Sequence, residues 1–360
     1  MAQWNCTRLA LLPRDSISSK ASITVKPSAL ASSQLLYARF CVLLSLGVDL
    51  FVSLMSRTLS SMDISKKMCT CHTHLSLVDP SHPSYVCKLH KALYGLKQAP
   101  RVWFHCMSSF LSTVGFRISK ADSSLFIYQH GSDIIYFLLY VDDIVVTGSN
   151  DRILRCFINA LGREFDIRDL GPLHYFLGLQ VTSHSNGIHL NQVKYAHDIL
   201  VKHDLLLSKP VSTPMLTKSL LSTNDGVLLD NPTTFCEMVG SLQYLTITRL
   251  DIAFAVNSVS QYMSKPHVPH LIAAKWILRY IKGTLDHGLS FCPQLQPVHL
   301  SAYSDANWAG CPDSRCSTSG YLIYLGSNLI SWCSKKQPTI ARSSAESEYH
   351  SLAHASAETT

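Results

Sequence analysis

The chain has 360 residues, of which 47% are hydrophobic and only 15% are charged, so most of it can build a core, with room for about two domains. Its formal charge is +7, which suits a polyanionic partner but does not single out nucleic-acid binders. The 12 cysteines lack the paired spacing of a disulfide framework or a zinc ribbon, and no basic segment opens a signal peptide. We therefore expect a reduced, intracellular protein.

The first 75 residues have a different texture from the rest, being rich in Ser, Leu, Thr and Cys with no stable period of 2 or 3.6. Residues 35–55 are apolar enough to suggest a membrane span, but Arg39 and Asp49 would be costly at a bilayer centre. Four side chains of metal-ligand type follow without a second cluster: Cys69, Cys71, His72 and His74. We expect neither a membrane segment nor a metal site here.

Regular elements begin beyond Val78. We predict strands at 86–93, 125–128 and 134–146, and helices at 104–114 and 151–165. Residues 125–128 and 134–140 are joined by a loop suited to a β-hairpin, and so are 175–182 and 187–191, which turn at Ser185 and Asn186. A helical stretch lies within 261–281, and strands follow at 320–325 and 329–334. Helices and strands without a parallel-sheet rhythm predict an α+β fold.

The sharpest chemical feature is Tyr140-Val141-Asp142-Asp143. An apolar strand runs directly into two adjacent carboxylates and an apolar run resumes after them, which is costly unless a cation meets the acids. Hard oxygen ligands of this kind suit Mg²⁺, and two such ions about 4 Å apart can activate a hydroxyl and stabilise a leaving pyrophosphate. On these four residues alone, an ordinary Asp-Asp hairpin turn remains the alternative.

Four surrounding motifs resemble the copia-type reverse transcriptases and occur in that family's order and approximate spacing over residues 78–360. They are KLHKALYGLKQAPR at 88–101, FLGL at 176–179, VGSLQYL at 239–245 and RYIKGT at 279–284. The resemblance implies RNA-directed DNA synthesis with Mg²⁺ or Mn²⁺ as cofactor. The implied partners are an RNA template, a DNA primer, an RNA–DNA hybrid and deoxynucleotide triphosphates, without a membrane, in a cytoplasmic particle or the nucleus.

The resemblance also assigns roles to single residues. Asp142 and Asp143 match the metal-binding carboxylates of the polymerase, and Tyr140 would pack beneath the primer end, although a plain core tyrosine is an alternative. Gln98 falls in the segment that lines the incoming-nucleotide pocket. Two cations beside it would face phosphates, or else be ordinary solvated residues: Lys97 and Arg101.

The C-terminal part resembles the two opening motifs of the ribonuclease H that follows reverse transcriptase, YSDANWAG at 303–310 and SSAESEY at 343–349. The resemblance makes Asp305 and Glu346 catalytic metal ligands that serve a metal-bound water. Glu348 lies two residues further on, and we expect it to point away from that face of a helix. The family's next acidic residue lies further downstream than Thr360, which leaves this metal cluster incomplete.

The polymerase motif LDVKNAFLHG, whose aspartate is the family's third catalytic acid, is absent from the chain. Reverse translation of residues 53–63, read two nucleotides later in each codon, allows LDVKNAFLHG, and the same shift allows family-like sequence on both sides. One forced step is the glycine that Met62 followed by Asp63 must give. We therefore interpret residues 1–76 as an out-of-frame or disordered segment without a packed core, and expect an open sheet edge near 134–139.

The sequence thus predicts a fragment of a copia-type Pol polyprotein. Residues 77–225 are the later reverse-transcriptase palm and following subdomain, 226–295 are a helical connection, and 296–360 are a truncated ribonuclease H-like mixed sheet. Three functions remain open: a catalytically defective relic, an enzyme completed by an unshifted upstream product, or a domesticated, non-catalytic nucleic-acid-binding protein.

Overall fold

A computed structural model describes residues 10–12, 51–56, 69–72, 86–89, 99–216, 221–294 and 298–359. The chain divides into two compact units, one made of Met1–Lys26 and Asp49–Leu173 and the other of Pro27–Val48 and His174–Thr360. Within the described ranges, no helix has both the length and the apolar character needed to cross a membrane. The predicted α+β class is confirmed, since both units combine helices with antiparallel sheets.

The first unit contains nine strands and two helices in its described residues. They are β1 (Ala10–Leu12), β2 (Phe51–Ser56), β3 (Cys69–His72), β4 (Val86–Leu89), α1 (Ala99–Val114), β5 (Arg117–Ile118), β6 (Leu125–His130), β7 (Asp133–Tyr140), β8 (Asp143–Gly148), α2 (Asp151–Glu164) and β9 (Ile167–Pro172). Six strands form one antiparallel sheet in the order β5-β6-β7-β8-β2-β9, and a three-stranded sheet has the order β1-β4-β3.

The core of the first unit is built on one face of its central hairpin. Ile135, Phe137 and Leu139 of β7 share one sheet face with Ile144 and Val146 of β8, because successive side chains of a strand point to opposite faces. Helices α1 and α2 cover that face with residues spaced three or four positions apart: Trp103, Met107, Leu111, Leu154, Phe157 and Leu161. The two carboxylates therefore lie at the end of a hairpin that is fixed by a packed core.

Strand β2 corrects two expectations about the N-terminal segment. Its residues pair antiparallel with β8 on one side and with β9 on the other, and Leu54 is 1% exposed in the core of the first unit. The expectation of an open edge near 134–139 was therefore wrong, and the expectation that residues 1–76 lack a packed core fails at Leu54. The interpretation of residues 1–76 as an out-of-frame segment stays a prediction. The physical reason is local: Phe51–Ser56 reads FVSLMS, an apolar and uncharged run that can pair with a sheet whatever reading frame produced it.

The first part of the second unit contains a four-stranded antiparallel sheet and four helices, and the helices share one hydrophobic core. Their bounds are β10 (Tyr175–Phe176), β11 (Leu179–His184), β12 (Gly187–Asn191), α3 (Val193–Lys202), α4 (Thr233–Leu245), α5 (Ala253–Ser260), α6 (Val268–Gly283) and β13 (Gly288–Phe291), with a short 3-10 helix at Leu250–Ile252. Because β13 pairs with β12, residues on both sides of the predicted boundary at 225 belong to one sheet.

The remainder of the second unit is an antiparallel sheet with one helix. It comprises β14 (Leu300–Asn307), β15 (Thr318–Leu325), β16 (Asn328–Lys336) and α7 (Ser344–Thr359). The strand order is β14-β15-β16, so β14 lies at an edge within the described residues. The strands predicted at 320–325 and 329–334 and both predicted hairpins are confirmed. The helical stretch predicted within 261–281 is also confirmed, as the helix Val268–Gly283.

Two of the family-like motifs contact each other in this unit. The Tyr244 hydroxyl, in VGSLQYL, donates a hydrogen bond of 2.6 Å to the carbonyl of Leu177, in FLGL. Leu177 and Gly178 have φ values of +48° and +78°, a left-handed turn that favours glycine. A Cβ atom on Gly178 would lie 2.8 Å from the Tyr244 hydroxyl. The spacing of these motifs therefore reflects a packing contact as well as sequence resemblance.

A buried arginine connects α6 to the segment before α5. The side chain of Arg249 is 3% exposed and binds both carboxylate oxygens of Asp251, at 2.9 and 2.8 Å. It also donates to the carbonyl and the hydroxyl of Thr284, at 2.7 and 2.6 Å. Burial alone would raise the pKa of Asp251, but the hydrogen bonds and charge of Arg249 bring it below its usual range. This network ties the C-terminal end of α6 to the segment before α5.

Candidate active sites

The first candidate site is the turn between β7 and β8. Tyr140 pairs with Asp143 in the antiparallel register, and the turn between them consists of Val141, at φ +53°, and Asp142. Both aspartates are half-buried. Burial, and next the charge of Asp142, raise the pKa of the Asp143 carboxyl. A divalent cation would stabilise the charged form of Asp143, which burial and the neighbouring acid disfavour.

The turn is held from the helical side by Trp103. Its indole N–H donates a hydrogen bond of 2.5 Å to the carbonyl of Val141, and the ring, 1% exposed, packs edge-on against Phe165 with 5.5 Å between centroids. A β-branched residue at positive φ is strained, so this bond stabilises the conformation that presents the acids. Sequence reasoning did not assign a role to Trp103, although its place two residues after the end of the family-like motif at 88–101 was a usable signal.

The other residues predicted for the polymerase site differ in what the structure says of them. Lys97 and Gln98 lie outside the described residues. Arg101 is exposed in the first turn of α1, two positions before Trp103, and Tyr140 is half-buried opposite Asp143. Tyr140 thus lies at the same sheet end as the acids, and the roles predicted for all four of these residues stay predictions.

The neighbouring strand supplies no further acid to this turn. Strand β2 reads FVSLMS, and its register places Met55 opposite Asp143. Among the residues that the structure describes, no group of three or more His, Cys, Asp or Glu side chains is arranged to hold a metal ion. The donor chemistry of Asp142 and Asp143 fits Mg²⁺ or Mn²⁺, but these two side chains alone supply few of the oxygen ligands that such an ion requires.

The second candidate site surrounds Asp305 on β14. Ser351 of α7 donates hydrogen bonds to the main-chain carbonyls of Asp305, at 2.7 Å, and Gly320, at 3.1 Å. Buried small residues form the face of α7 that meets the sheet: Ser347, Ser351 and Ala355. Their size lets the helix backbone approach β14 closely, and this contact selects which carboxylate of α7 lies beside Asp305.

That carboxylate belongs to Glu348. Its Oε1 accepts a hydrogen bond of 3.3 Å from the N–H of Ala306, the residue next to Asp305, so the expectation that Glu348 points away was wrong. Glu346 instead turns back to the helix start. Its carboxylate accepts from the Arg342 N–H at 2.6 Å, and its own N–H donates to the Ser343 hydroxyl at 3.1 Å. The S-x-x-E spacing of 343–346 is that of a helix cap.

Comparison with known proteins agrees with the polymerase motifs. Residues 71–217 match the family described as reverse transcriptase (RNA-dependent DNA polymerase). The chain is 48% identical over 281 residues to the retrovirus-related Pol polyprotein from transposon RE2 of Arabidopsis thaliana, covering 78% of this chain and 19% of that protein. It is 37% identical over 276 residues to the Pol polyprotein from transposon TNT 1-94 of Nicotiana tabacum, with coverages of 73% and 20%.

A shorter relative is matched over most of its own length. The chain is 30% identical over 275 residues to the putative transposon Ty5-1 protein of Saccharomyces cerevisiae, which covers 76% of this chain and 89% of that protein. Together with the paired aspartates on a core-backed hairpin, these matches define a reverse-transcriptase domain. The chain belongs to the copia-type retrotransposon Pol family, and it spans about a fifth of the length of the Pol polyproteins that it matches.

Proposed function

We propose that this chain carries the reverse-transcriptase and ribonuclease H regions of a copia-type Pol polyprotein and that, by itself, it catalyses neither reaction. In the family, RNA-directed DNA synthesis uses a template–primer duplex, deoxynucleotide triphosphates and divalent metal ions. The observation that carries the proposal is the register of β2, which brings Met55, and no acid, opposite Asp143.

The defect follows from what a metal needs. A bound Mg²⁺ would activate the attacking hydroxyl and stabilise the leaving phosphate. Asp142 and Asp143 would hold it, and Trp103 would keep their turn in place. With only these two carboxylates as ligands, the affinity for the ion is low, and the two acids repel each other when no ion is present.

For the nuclease region, the geometry supports a pair formed by Asp305 and Glu348. Glu348 contacts the main chain next to Asp305, whereas Glu346 has a structural partner at the helix start. Changing Glu346 to Gln would therefore affect mainly the stability of α7. A complete nuclease would need further carboxylates beside this pair, because a metal ion there requires more oxygen ligands than two side chains supply.

Primer extension on a primed RNA template tests the polymerase part. The purified chain is incubated with Mg²⁺ or Mn²⁺ and deoxynucleotide triphosphates, and no extension is expected. The matched variant replaces residues 1–76 with the translation of the same DNA read two nucleotides later, and extension that depends on Asp142 is expected from it. Extension by the original chain that disappears on Asp142→Asn would refute the proposed defect.

Cleavage of a labelled RNA–DNA hybrid tests the nuclease part separately. No cleavage by the chain is expected. When residues 298–359 replace the matching region of an active Pol polyprotein, cleavage by that protein should be lost on Asp305→Asn or Glu348→Gln. Retained cleavage in Glu348→Gln together with loss in Glu346→Gln would assign the role to Glu346 instead.

A further inference from the structure

The loop between β14 and β15 brings two cysteines together, outside both candidate active sites. Residues 311–316 read CPDSRC. The N–H of Cys311 donates to the carbonyl of Cys316 at 3.1 Å, and the N–H of Arg315 donates to the carbonyl of Cys311 at 2.9 Å. One main-chain hydrogen bond places the two Cα atoms within about 7 Å of each other, and disulfides join Cα atoms roughly 4.4–6.8 Å apart.

The first of these cysteines has a cationic partner. The Nζ atom of Lys336 lies 3.0 Å from the Cys311 sulfur. Burial acts to raise the pKa of the Cys311 thiol, but hydrogen bonds from Lys336 and from Ser314 lower it to about 7. A thiol paired with an ammonium group is largely a thiolate near neutral pH, and the thiolate is the form that reacts with oxidants.

The position of Cys311 also provides an approach for a small reagent. The residue is only 9% exposed, but it borders a cavity of ≈ 400 Å³ that Phe254 and Tyr262 also line. Peroxide is small enough to use such a space. Cys333 on β16 offers a contrast within the same sheet, because burial raises the pKa of its thiol.

We propose that Cys311 and Cys316 form a peroxide-sensitive dithiol, with Cys311 as the attacking thiolate and Cys316 as the resolving thiol. The Cys311 sulfur attacks one oxygen of hydrogen peroxide, the O–O bond breaks, and the products are a sulfenic acid on Cys311 and hydroxide. The Cys316 sulfur then attacks the Cys311 sulfur, and the S–O bond breaks as a disulfide forms. Water leaves with the proton of the Cys316 thiol, so one peroxide is consumed for each disulfide.

Mass spectrometry of the full-length chain tests this pairing. The protein is treated with hydrogen peroxide at pH 7, free thiols are alkylated, and the chain is cut with trypsin and chymotrypsin. The peptides 309–315 and 316–321 should be recovered joined, and a reductant should separate them. In Cys316→Ser, a sulfenic-acid trap should label Cys311, and in Cys311→Ser residue 316 should stay reduced.

Lysine variants test why Cys311 reacts first. Replacing Lys336 by Met should slow oxidation of Cys311 at pH 7 about tenfold, because the thiolate fraction falls, whereas Lys335→Met, one residue earlier, should leave the rate unchanged. Circular dichroism checks that both variants are folded. Oxidation of Cys311 no faster than that of Cys333, or failure of the two peptides to join in the unsubstituted chain, would overturn the proposal.

Discussion

The substitution Trp103→Phe examines how the aspartate turn is held. The indole N–H is bound to the Val141 carbonyl at 2.5 Å, and Val141 sits at φ +53°. Phenylalanine keeps an aromatic ring in the core but has no donor. The turn should therefore lose a fixed contact without losing the fold of the first unit.

The expected size of the effect is the sum of two contributions. Leaving a buried acceptor without its hydrogen bond costs about 1–3 kcal/mol. We take about 1 kcal/mol here, because Val141 is 36% exposed and water can replace the lost donor. The smaller ring leaves a void at a position that is 1% exposed, which costs about 1 kcal/mol more. A total of about 2 kcal/mol corresponds to roughly thirtyfold faster hydrogen exchange of the amides of β8.

Exchange measured by mass spectrometry gives the stability, and carbon NMR of labelled aspartate gives the titration of Asp143. Phe157→Leu is the matched control, since Phe157 is 6% exposed in the same core and carries no polar atom. Both variants should exchange faster, but only Trp103→Phe should shift the Asp143 titration. If both variants shift it equally, or neither does, Trp103 acts through packing alone and the reasoning fails.

Three further predictions concern the second unit, and the first of them has its control variant in the first unit. Arg249→Lys cannot reproduce the bidentate contact of a buried guanidinium, so urea unfolding should show a free energy of unfolding lower by about 3 kcal/mol. The control Arg155→Lys changes a side chain that is 74% exposed and should alter that free energy by less than about 0.5 kcal/mol. Burial lowers the pKa of His270, so the unfolded chain binds a proton at a higher pH than the folded chain does. The free energy of unfolding should therefore be constant above about pH 6.5 and decrease as the pH drops below that value. The decrease should be less steep in His270→Gln. Gly178→Ala should lower the free energy of unfolding by about 1–3 kcal/mol. Because the added Cβ would lie 2.8 Å from the Tyr244 hydroxyl, adding Tyr244→Phe in a double-mutant cycle should recover part of that loss, and additive losses would contradict this.

Much of the hairpin could be predicted because its signals are local. A continuous apolar run along 134–140 and two acids in succession predict a strand, a turn and the chemistry of its side chains without knowledge of the remainder of the chain. The family-like motifs were equally readable, since they keep their letters and their order. The different composition of the first 75 residues was also visible in the sequence, as the lack of a stable period of 2 or 3.6.

Partner choice between distant segments was decided only by tertiary structure. The sequence does not state that Phe51–Ser56 pairs with β8, because any uncharged β-prone run can fill a sheet edge. Nor does it state that Trp103 bonds to Val141, since the two lie on different elements.

The carboxylates of α7 show the same limit within one helix. Motif spacing alone makes both Glu346 and Glu348 candidate partners of Asp305. Spacing cannot tell which side of the helix packs against the sheet. Docking is set by the small residues Ser347 and Ser351, which let α7 approach β14. The sequence thus determined the chemistry that each segment can offer, whereas the packing of small side chains and the pairing of strands determined which of those groups meet, because both depend on contacts between residues far apart in the chain.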